Sequence, residues 1–396
     1  MKVMQINCVY GRGSTGKIVA DIHRELLNNG MQSIVCYGRG ARTSEENIYK
    51  VSSEFGAKIH SALSRLFGVE FSHSSIATAQ LIQRIAREKP DVVHLHCLNG
   101  HFVHVYKLLD YLKKQNIKTV LTLHAEIMHT AGCSHALECE KWKVQCHDCD
   151  KIKGKISRFY RDDAVHTYRL MQSAFKGFKN LTVVGVSEWL TARAKQSPVF
   201  DAPKFCTIRN GINIAVFHRT DSADLKSRLK IPADKKIILH VTPDFLSVIK
   251  GGQYVLELAR KMPEYQFIIV GFNGDKSILP ENIIAIAHTN NAQELAKYYS
   301  MADCLICTSL RESFPTVCLE AAACGCNIVG FRTGGLPETI PEDMGTTVEC
   351  YDIDAMCEAV RQWSACKVSD ARIQEVNQML SAKEMYNHYM HVYENV

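Results

Sequence analysis

The stretch richest in chemistry is RESFPTVCLEAAACGCNIVGFRTGGLPETI, residues 311–340, which sets two carboxylates, Glu312 and Glu320, on either side of Pro315. Proline suits the first helical turn, where its missing N–H is no loss and its φ is already set. Glu312 is therefore expected in the loop before a helix, and Glu320 about two turns inside it. The backbone at Phe314, Pro315, Thr316 and Val317 would present the free N–H groups of a helix start, which attract a pyrophosphate. A carboxylate in the loop can accept sugar hydroxyls, and one on the helix can accept both hydroxyls of a ribose. The structural alternative is a solvated helix with a stray buried glutamate, which accounts poorly for a glutamate interrupting an apolar face that leads into AAACGC.

A second candidate is GRGSTGK, residues 11–17, directly after the apolar run KVMQINCV. Glycines such as Gly13 and Gly16 permit positive φ and close backbone approach to a ligand, and a helix start offers N–H groups to an anion. The spacing Gly11-x4-Gly16-Lys17 nearly makes a nucleotide-triphosphatase loop, but Ile18 stands where a Ser or Thr hydroxyl must hold magnesium. A structural turn and a loop approaching an anionic or sugar ligand are the other two readings, and the last is preferred.

Sixteen cysteines are the unusual feature of the composition. Four of them, Cys133, Cys139, Cys146 and Cys149, fall in TAGCSHALECEKWKVQCHDCD as C-x5-C-x6-C-x2-C. Four thiolates at that spacing can close a tetrahedral structural zinc site, with His135 and His147 as alternate ligands; free or redox-active thiols and disulfides are the competing readings. The other twelve mostly sit in apolar runs such as DCLICTS, where Cys packs as a small hydrophobe. The N-terminus shows no charged region followed by an apolar run, so no signal peptide is expected, and no 18-residue apolar stretch suggests a membrane span. Reduced thiols in the cytoplasm are the expectation.

The elements that must position these residues follow from hydrophobic patterning. The 396 residues, 46% of them hydrophobic, suffice for two domains with separate cores. Short apolar runs alternate with amphipathic stretches, the pattern of parallel α/β architecture. KVMQINCV, SIVCYG, DVVHLHC, TVLTLH, LTVVGVS and FCTIRN form one series of strands, with helices over 16–29, 73–88 and 102–115. KIILHVT, FIIVG, IIAIA, DCLICTS and CNIVGF form a second. The polar stretch 219–236 separates them. The expected division is a domain over 1–218 carrying the Cys-rich insert 130–150, a second over 219–375, and a C-terminal helix over 376–396 packing back on the first. Two doubly wound domains facing a central cleft would place ligands at the carboxyl ends of the strands. Charge is lopsided: residues 1–200 hold 28 Lys and Arg against 17 Asp and Glu, or +11, and residues 201–396 hold 19 against 24, or −5. A basic first half is compatible with an anionic surface or substrate.

Glu312-x7-Glu320, followed by a strand and Thr333-Gly334-Gly335-Leu336-Pro337-Glu338, resembles the retaining glycosyltransferases of family 4, which have the GT-B fold. The Gly loop 11–16, VVGVSEWL at 183–190, RNGIN followed by Phe217, and Lys250-Gly251 agree, so the resemblance spans essentially the whole chain. Within the family, VVHLHCLNGHFVHVYKLLDYL, then a TLH strand end, then a Cys-rich insert resemble the capsule and exopolysaccharide branch.

The resemblance implies that Glu312 contacts the transferred sugar, Glu320 the nucleotide ribose, and Lys250 the pyrophosphate as it leaves. The arginine that accompanies this lysine in relatives has no counterpart, since Ile249, Val248 and Asp244 stand where it would be expected. His124 matches the histidine near the anomeric centre of the donor. Relatives carry Asp directly after it; here Ala125 and Glu126 follow, and Glu126 is a candidate substitute. The implied donor is a UDP- or GDP-sugar and the implied acceptor a saccharide, lipid-linked, in bacterial surface polysaccharide synthesis. No catalytic metal is implied, because in front-face transfer the departing phosphate takes the acceptor's proton. Asp162-Asp163 and Asp352-x-Asp354 read as solvated charges.

Residues 151–180 interleave eight Lys and Arg with Phe159, Tyr160, Tyr168, Met171, Phe175 and Phe178. A basic amphipathic helix there fits contact with an anionic membrane face or a lipid pyrophosphate, placing the protein on the inner face of the cell membrane; the alternative is a domain helix with a solvated basic face. No recognition motif supports nucleic acid. The rival functions are a GT-B sugar-nucleotide 2-epimerase, a weakly catalytic sugar-nucleotide-binding protein and a P-loop NTPase.

Overall fold

Runs such as VVHL and CLIC are buried on both faces, which only a sheet covered by helices on both sides can satisfy. The computed structural model describes residues 1–67, 69–149, 164–201 and 203–395. It divides into two compact units, Met1–Arg209 with Met385–Val396, and Asn210–Glu384. The chain thus passes between units slightly before the polar stretch 219–236.

In the first unit seven strands, β1 (Lys2–Val9), β2 (Gln32–Arg39), β3 (Ile48–Lys50), β4 (Val92–Leu95), β5 (Lys118–Leu123), β6 (Leu181–Gly185) and β7 (Lys204–Thr207), pair in the order β3-β2-β1-β4-β5-β6-β7. Every pairing is parallel. The helices are α1 (Gly13–Asn28), α2 (Glu54–Phe67), α3 (Ser75–Glu88), α4 (Val105–Lys114), α5 (Ala164–Phe175) and α6 (Glu188–Lys195). In the second unit β8 (Ile237–Val241), β9 (Gln266–Val270), β10 (Ile283–Ile286), β11 (Cys304–Cys307), β12 (Asn327–Phe331) and β13 (Gly345–Val348) pair as β10-β9-β8-β11-β12-β13, again all parallel. Its helices are α7 (Ala223–Arg228), α8 (Gly252–Lys261), α9 (Ala292–Met301), α10 (Thr316–Ala323), α11 (Ile353–Ala365) and α12 (Asp370–Met379). A last helix, α13 (Ala382–Asn395), runs from the second unit into the first.

Both sheets reverse their winding direction once, at β1/β4 and at β8/β11. Such a switch point leaves a crevice beyond the carboxyl ends of its strands, because neighbouring crossovers leave in opposite directions. The glycine loop follows β1 and Lys250 follows β8; Glu312 follows β11, and His96 and His124 follow β4 and β5. The short edge strands β3 and β13 carry IYK and GTTV, too little apolar sequence to stand out.

The core of the first unit gathers Val3, Ile18, Ile22, Val92, Val120 and Val184 with Met385, Tyr386, Tyr389 and Tyr393 of α13. The aromatic tail therefore covers one face of this sheet. In the second unit Ile238, Val255, Leu258, Phe267, Ile306, Val329 and Met356 form the corresponding core.

Candidate active site

In the second unit the site is built by three loops that leave neighbouring strand ends. A single 3-10 turn, Val248–Lys250, leads into α8 through Gly251 at φ +68°. A Cβ on Gly251 would lie 1.9 Å from the Thr308 carbonyl oxygen, so only glycine lets this turn press on the end of β11. Two bonds fix the contact: Leu310 N–H donates to the Ile249 carbonyl (2.8 Å), and the Thr308 hydroxyl donates to the Gly251 carbonyl (3.0 Å). The result is that Lys250 Nζ stands 2.7 Å from Glu312 Oε1. Burial opposes the ammonium charge, but the Glu312 carboxylate outweighs it and holds Lys250 above the usual lysine range.

Glu312 is seated from its other side by the Thr333-Gly334-Gly335 loop after β12. Gly335 N–H donates to the Glu312 carbonyl (2.9 Å), and the Thr333 hydroxyl donates to the Leu310 carbonyl (2.8 Å). A Cβ on Gly334 would meet the Glu312 carbonyl oxygen at 1.9 Å. The two motifs noted in the sequence, the paired glutamates and the TGG loop, are thus one piece of packing.

Pro315 is the N-cap of α10, and the helix begins at Thr316. Glu320 is therefore only a little more than one turn inside it, nearer the helix start than the spacing suggested. It is buried at 6% exposure, and the Tyr299 hydroxyl donates to its Oε2 at 2.9 Å. Tyr299 is fully buried; burial and the adjacent carboxylate both raise its pKa, so it remains a donor. Sequence reading missed Tyr299, which lies in α9 with no motif around it. His240, at the end of β8, was missed too: its Nδ1 bonds the Ile306 carbonyl (3.1 Å), and its buried Nε2 has no hydrogen-bond partner. Burial lowers its pKa to about 4, and the Lys250 charge adds to the effect.

In the first unit, the glycine loop is a tight turn in which Gly11 and Gly13 take φ of +66° and +61°. Gly11 N–H bonds the Gly16 carbonyl at 3.0 Å. A Cβ on Gly16 would sit 3.1 Å from a Val9 methyl, so this glycine lets α1 lie close on β1. The helix starts at Gly13, three residues earlier than the apolar pattern indicates.

His124, half-buried past the end of β5, places its Nε2 3.1 Å from His96 Nδ1. Burial holds its pKa down to about 4, so the ring is neutral at neutral pH. Glu126 does not stand in for an acid beside it. The carboxylate is fully buried, with Oε1 bonded by Arg193 Nε (2.8 Å) and Oε2 by Ala136 N–H (2.8 Å). Both oxygens are committed to holding the Cys-rich insert against α6. Arg193 also lies 4.7 Å from the ring centroid of the buried Trp142 and bonds Glu140 (3.2 Å).

The insert's four cysteines do come together, around a cavity of about 50 Å³ that Trp142 and His147 also line. Among the described residues, no group of three or more His, Cys, Asp or Glu side chains is arranged to hold a metal ion. All 16 cysteines are free thiols. Burial, then the proximity of the other three, pushes Cys146 up to about 12, and its thiol donates to the Thr130 carbonyl at 3.5 Å.

Residues 150–163, the first part of the basic segment, lie outside the described residues, with Phe159 and Tyr160 among them. In the remainder Tyr168, Met171, Phe175 and Phe178 are core residues at 3% exposure or less. Their apolar face belongs to the domain interior, so the described part of 151–180 offers no apolar membrane face.

The sequence model described as Glycosyltransferase Family 4 matches residues 15–216, half of the chain, and that described as Glycosyl transferases group 1 matches residues 221–379. The chain belongs to glycosyltransferase family 4. The chain is 21% identical over 422 residues to the putative colanic acid biosynthesis glycosyl transferase WcaC of Escherichia coli K12, covering 100% of each. It is 23% identical over 374 residues to N-acetyl-alpha-D-glucosaminyl L-malate synthase of Bacillus anthracis, covering 90% of this chain and 86% of that one. Among solved structures, sucrose-phosphate synthase of Thermosynechococcus elongatus aligns over 100% of this chain and 99% of its own with a TM-score of 0.71 at 16% identity. Anabaena HepE, solved with UDP-glucose, aligns over 100% of both chains at 0.65 and 13%. These likenesses show the GT-B fold. This family 4 enzyme is a retaining glycosyltransferase that takes a sugar from a nucleotide sugar. Among the described residues of this glycosyltransferase no helix is long and apolar enough to cross a membrane.

Proposed function

We propose that the enzyme moves a hexose or N-acetylhexosamine from a nucleoside-diphosphate sugar to a lipid-linked saccharide acceptor in the synthesis of a bacterial surface polysaccharide. The observations that carry the donor half are the Lys250–Glu312 pair, in the loops after β8 and β11, and the buried Glu320–Tyr299 pair on α10 and α9. Glu320 accepts the ribose hydroxyls, and the N–H groups at the start of α10 face the diphosphate. Lys250 shares its charge with that diphosphate as the bond to the anomeric carbon breaks, stabilising the charge where it develops. The acceptor hydroxyl attacks the anomeric carbon from the side the diphosphate leaves, and its proton passes to the departing phosphate oxygen. Glu312 orients the sugar through its hydroxyls, and His124 is a sugar contact, as the family resemblance implies. A UDP-sugar is the first donor to test, since the HepE structure holds one.

Two features support a lipid-linked acceptor. The WcaC relative is named for colanic acid biosynthesis. Helix α2 leaves Phe55, Ile59 and Leu66 exposed at 74%, 44% and 58%, one apolar stripe at helical spacing flanked by Lys58 and Arg65. An unpartnered apolar stripe with basic flanks fits an anionic membrane surface, where apolar burial and charge attraction add. In the same unit a cavity of about 680 Å³ is lined by Arg42, Lys50, Arg84 and Arg87.

The test is a panel of UDP-, GDP- and ADP-sugars assayed for binding, transfer and hydrolysis. Glu320→Ala should weaken nucleotide binding, and Glu312→Ala should chiefly lower turnover. Unchanged binding and activity in both would remove the site assignment; binding without transfer or hydrolysis in the native enzyme would favour a sugar-nucleotide-binding protein instead.

A further inference from the structure

A line of buried amide and imidazole groups crosses the first unit from α1 to His124, and each group's hydrogen-bonding capacity fixes the next. Gln5, on β1, is fully buried. Its Nε2 lies 3.2 Å from the Val19 carbonyl oxygen, which can only accept, so the amide nitrogen must face Val19. Gln5 Oε1 therefore faces the other way, 3.2 Å from His96 Nε2. An amide oxygen also only accepts, so His96 carries its proton on Nε2.

His96 is 1% exposed and sits between two more imidazoles, its ring centroid 3.9 Å from that of His94 and 5.4 Å from that of His124. Among the described residues its bonded partners are Gln5 and His124, not a carboxylate. A neutral ring protonated on Nε2 has a bare Nδ1, and that atom is 3.1 Å from His124 Nε2. One of these two nitrogens must donate, and only His124 can. His94 takes no part in this line: its Nδ1 meets the Tyr393 hydroxyl and its Nε2 the Thr122 hydroxyl, each at 2.7 Å.

We infer that Gln5 and His96 are positioning residues that hold His124 in its Nε2–H tautomer, so that Nδ1 meets the substrate as a hydrogen-bond acceptor for a sugar hydroxyl. The inference rests on the reading of His124 as a substrate contact. It deepens that reading by assigning a direction to the contact: the histidine accepts, and a hydroxyl of the bound sugar donates. A ring in the opposite tautomer would present N–H to that hydroxyl's hydrogen and lose the bond. Fixing a catalytic imidazole through the hydrogen bond at its other nitrogen is a general device, and the wrong tautomer costs far more activity than the geometry of the ring alone would suggest.

The test uses the full-length protein labelled with ¹⁵N-histidine, in which long-range proton–nitrogen correlations distinguish the two tautomers, with His124→Gln assigning the signals. His96 and His124 should both be Nε2–H in the native protein. His96→Leu removes the acceptor and should release His124 into a mixture of tautomers, with kcat/KM down about tenfold or more. His96→Asn puts an amide oxygen close to where Nδ1 was, and should restore the Nε2–H tautomer and most of the lost activity. Gln5→Leu provides an independent break should His96→Leu not fold, and should release both rings. Native His124 found as Nδ1–H, or full activity in His96→Leu with its tautomer randomised, overturns the inference. Full activity in His124→Gln would instead overturn the reading of His124 itself, whatever the tautomer signals show.

Discussion

Acidification should unfold the first unit well before carboxylates titrate, and the buried histidines set the size of the effect. His60, His94, His96 and His129 are at most 1% exposed, and burial lowers the pKa of each, to about 3 for His60 and His129 and well below the ordinary value for His94 and His96. In the unfolded chain each titrates near its ordinary value of about 6.5. Between the two values the unfolded state binds more protons, so stability rises with pH there. The contribution is whole above about pH 6.5 and is lost as pH falls. At about pH 5 each ring is roughly 1.5 pH units below its unfolded pKa, which at ~1.4 kcal/mol per unit is ~2 kcal/mol, or ~8 kcal/mol for the four. Domains are stable by only ~5–15 kcal/mol. In the second unit the buried histidine with a lowered pKa is His240, at 3% exposure, so the corresponding loss is ~2 kcal/mol. Trp142 and Trp189 report on the first unit and Trp363 on the second, and Trp363→Phe isolates the first signal. Urea unfolding followed by that fluorescence should show the midpoint falling by roughly 2–4 M between about pH 7 and about pH 5. Neither ring nitrogen of His129 has a hydrogen-bond partner, so His129→Leu should recover about a quarter of the loss. A midpoint that does not move with pH would mean that the folded state protonates these rings, and the reasoning would fail.

Arg193→Met leaves the buried Glu126 carboxylate without its partner and should destabilise the first unit by about 3–5 kcal/mol in urea unfolding; a loss under about 1 kcal/mol would show that the pair does not hold the insert. Tyr299→Phe removes the hydroxyl that donates to Glu320 Oε2 and should weaken nucleotide binding about tenfold by calorimetry while leaving the fold intact. Phe55→Ser with Leu66→Ser should reduce sedimentation with anionic vesicles and leave transfer to a water-soluble acceptor unchanged; undiminished vesicle binding would remove α2 as the docking helix.

The alternation of apolar runs such as TVLTLH and DCLICTS with amphipathic stretches made two parallel sheets legible, because strands buried on both faces have no other way to be written. Motif spacing marked Glu312 and Glu320 as candidates, and the family resemblance marked Lys250 and His124. Tyr299, His240, Gln5 and Arg193 were marked by neither, since each gains its role from a partner at least 14 residues away in sequence and none has a motif of its own. In the Cys-rich insert the spacing suggests a metal site, and folding brings the four cysteines around one cavity.

The aromatic residues of 164–178 and of α2 make the same point from the surface. Both segments carry apolar residues at helical spacing beside basic ones, so composition gives them one reading. Tertiary packing put Tyr168, Met171 and Phe175 inside the domain and left Phe55, Ile59 and Leu66 outside. The sequence by itself determined the parallel α/β class, the family and the carboxylate pair, because periodicity and short-range spacing are local properties of the chain. Which buried groups meet, what Glu126 is bonded to and which apolar stripe faces water were decided only in the tertiary structure. Hydrogen bonds and burial depend on distances between residues far apart in sequence, and folding alone sets those distances.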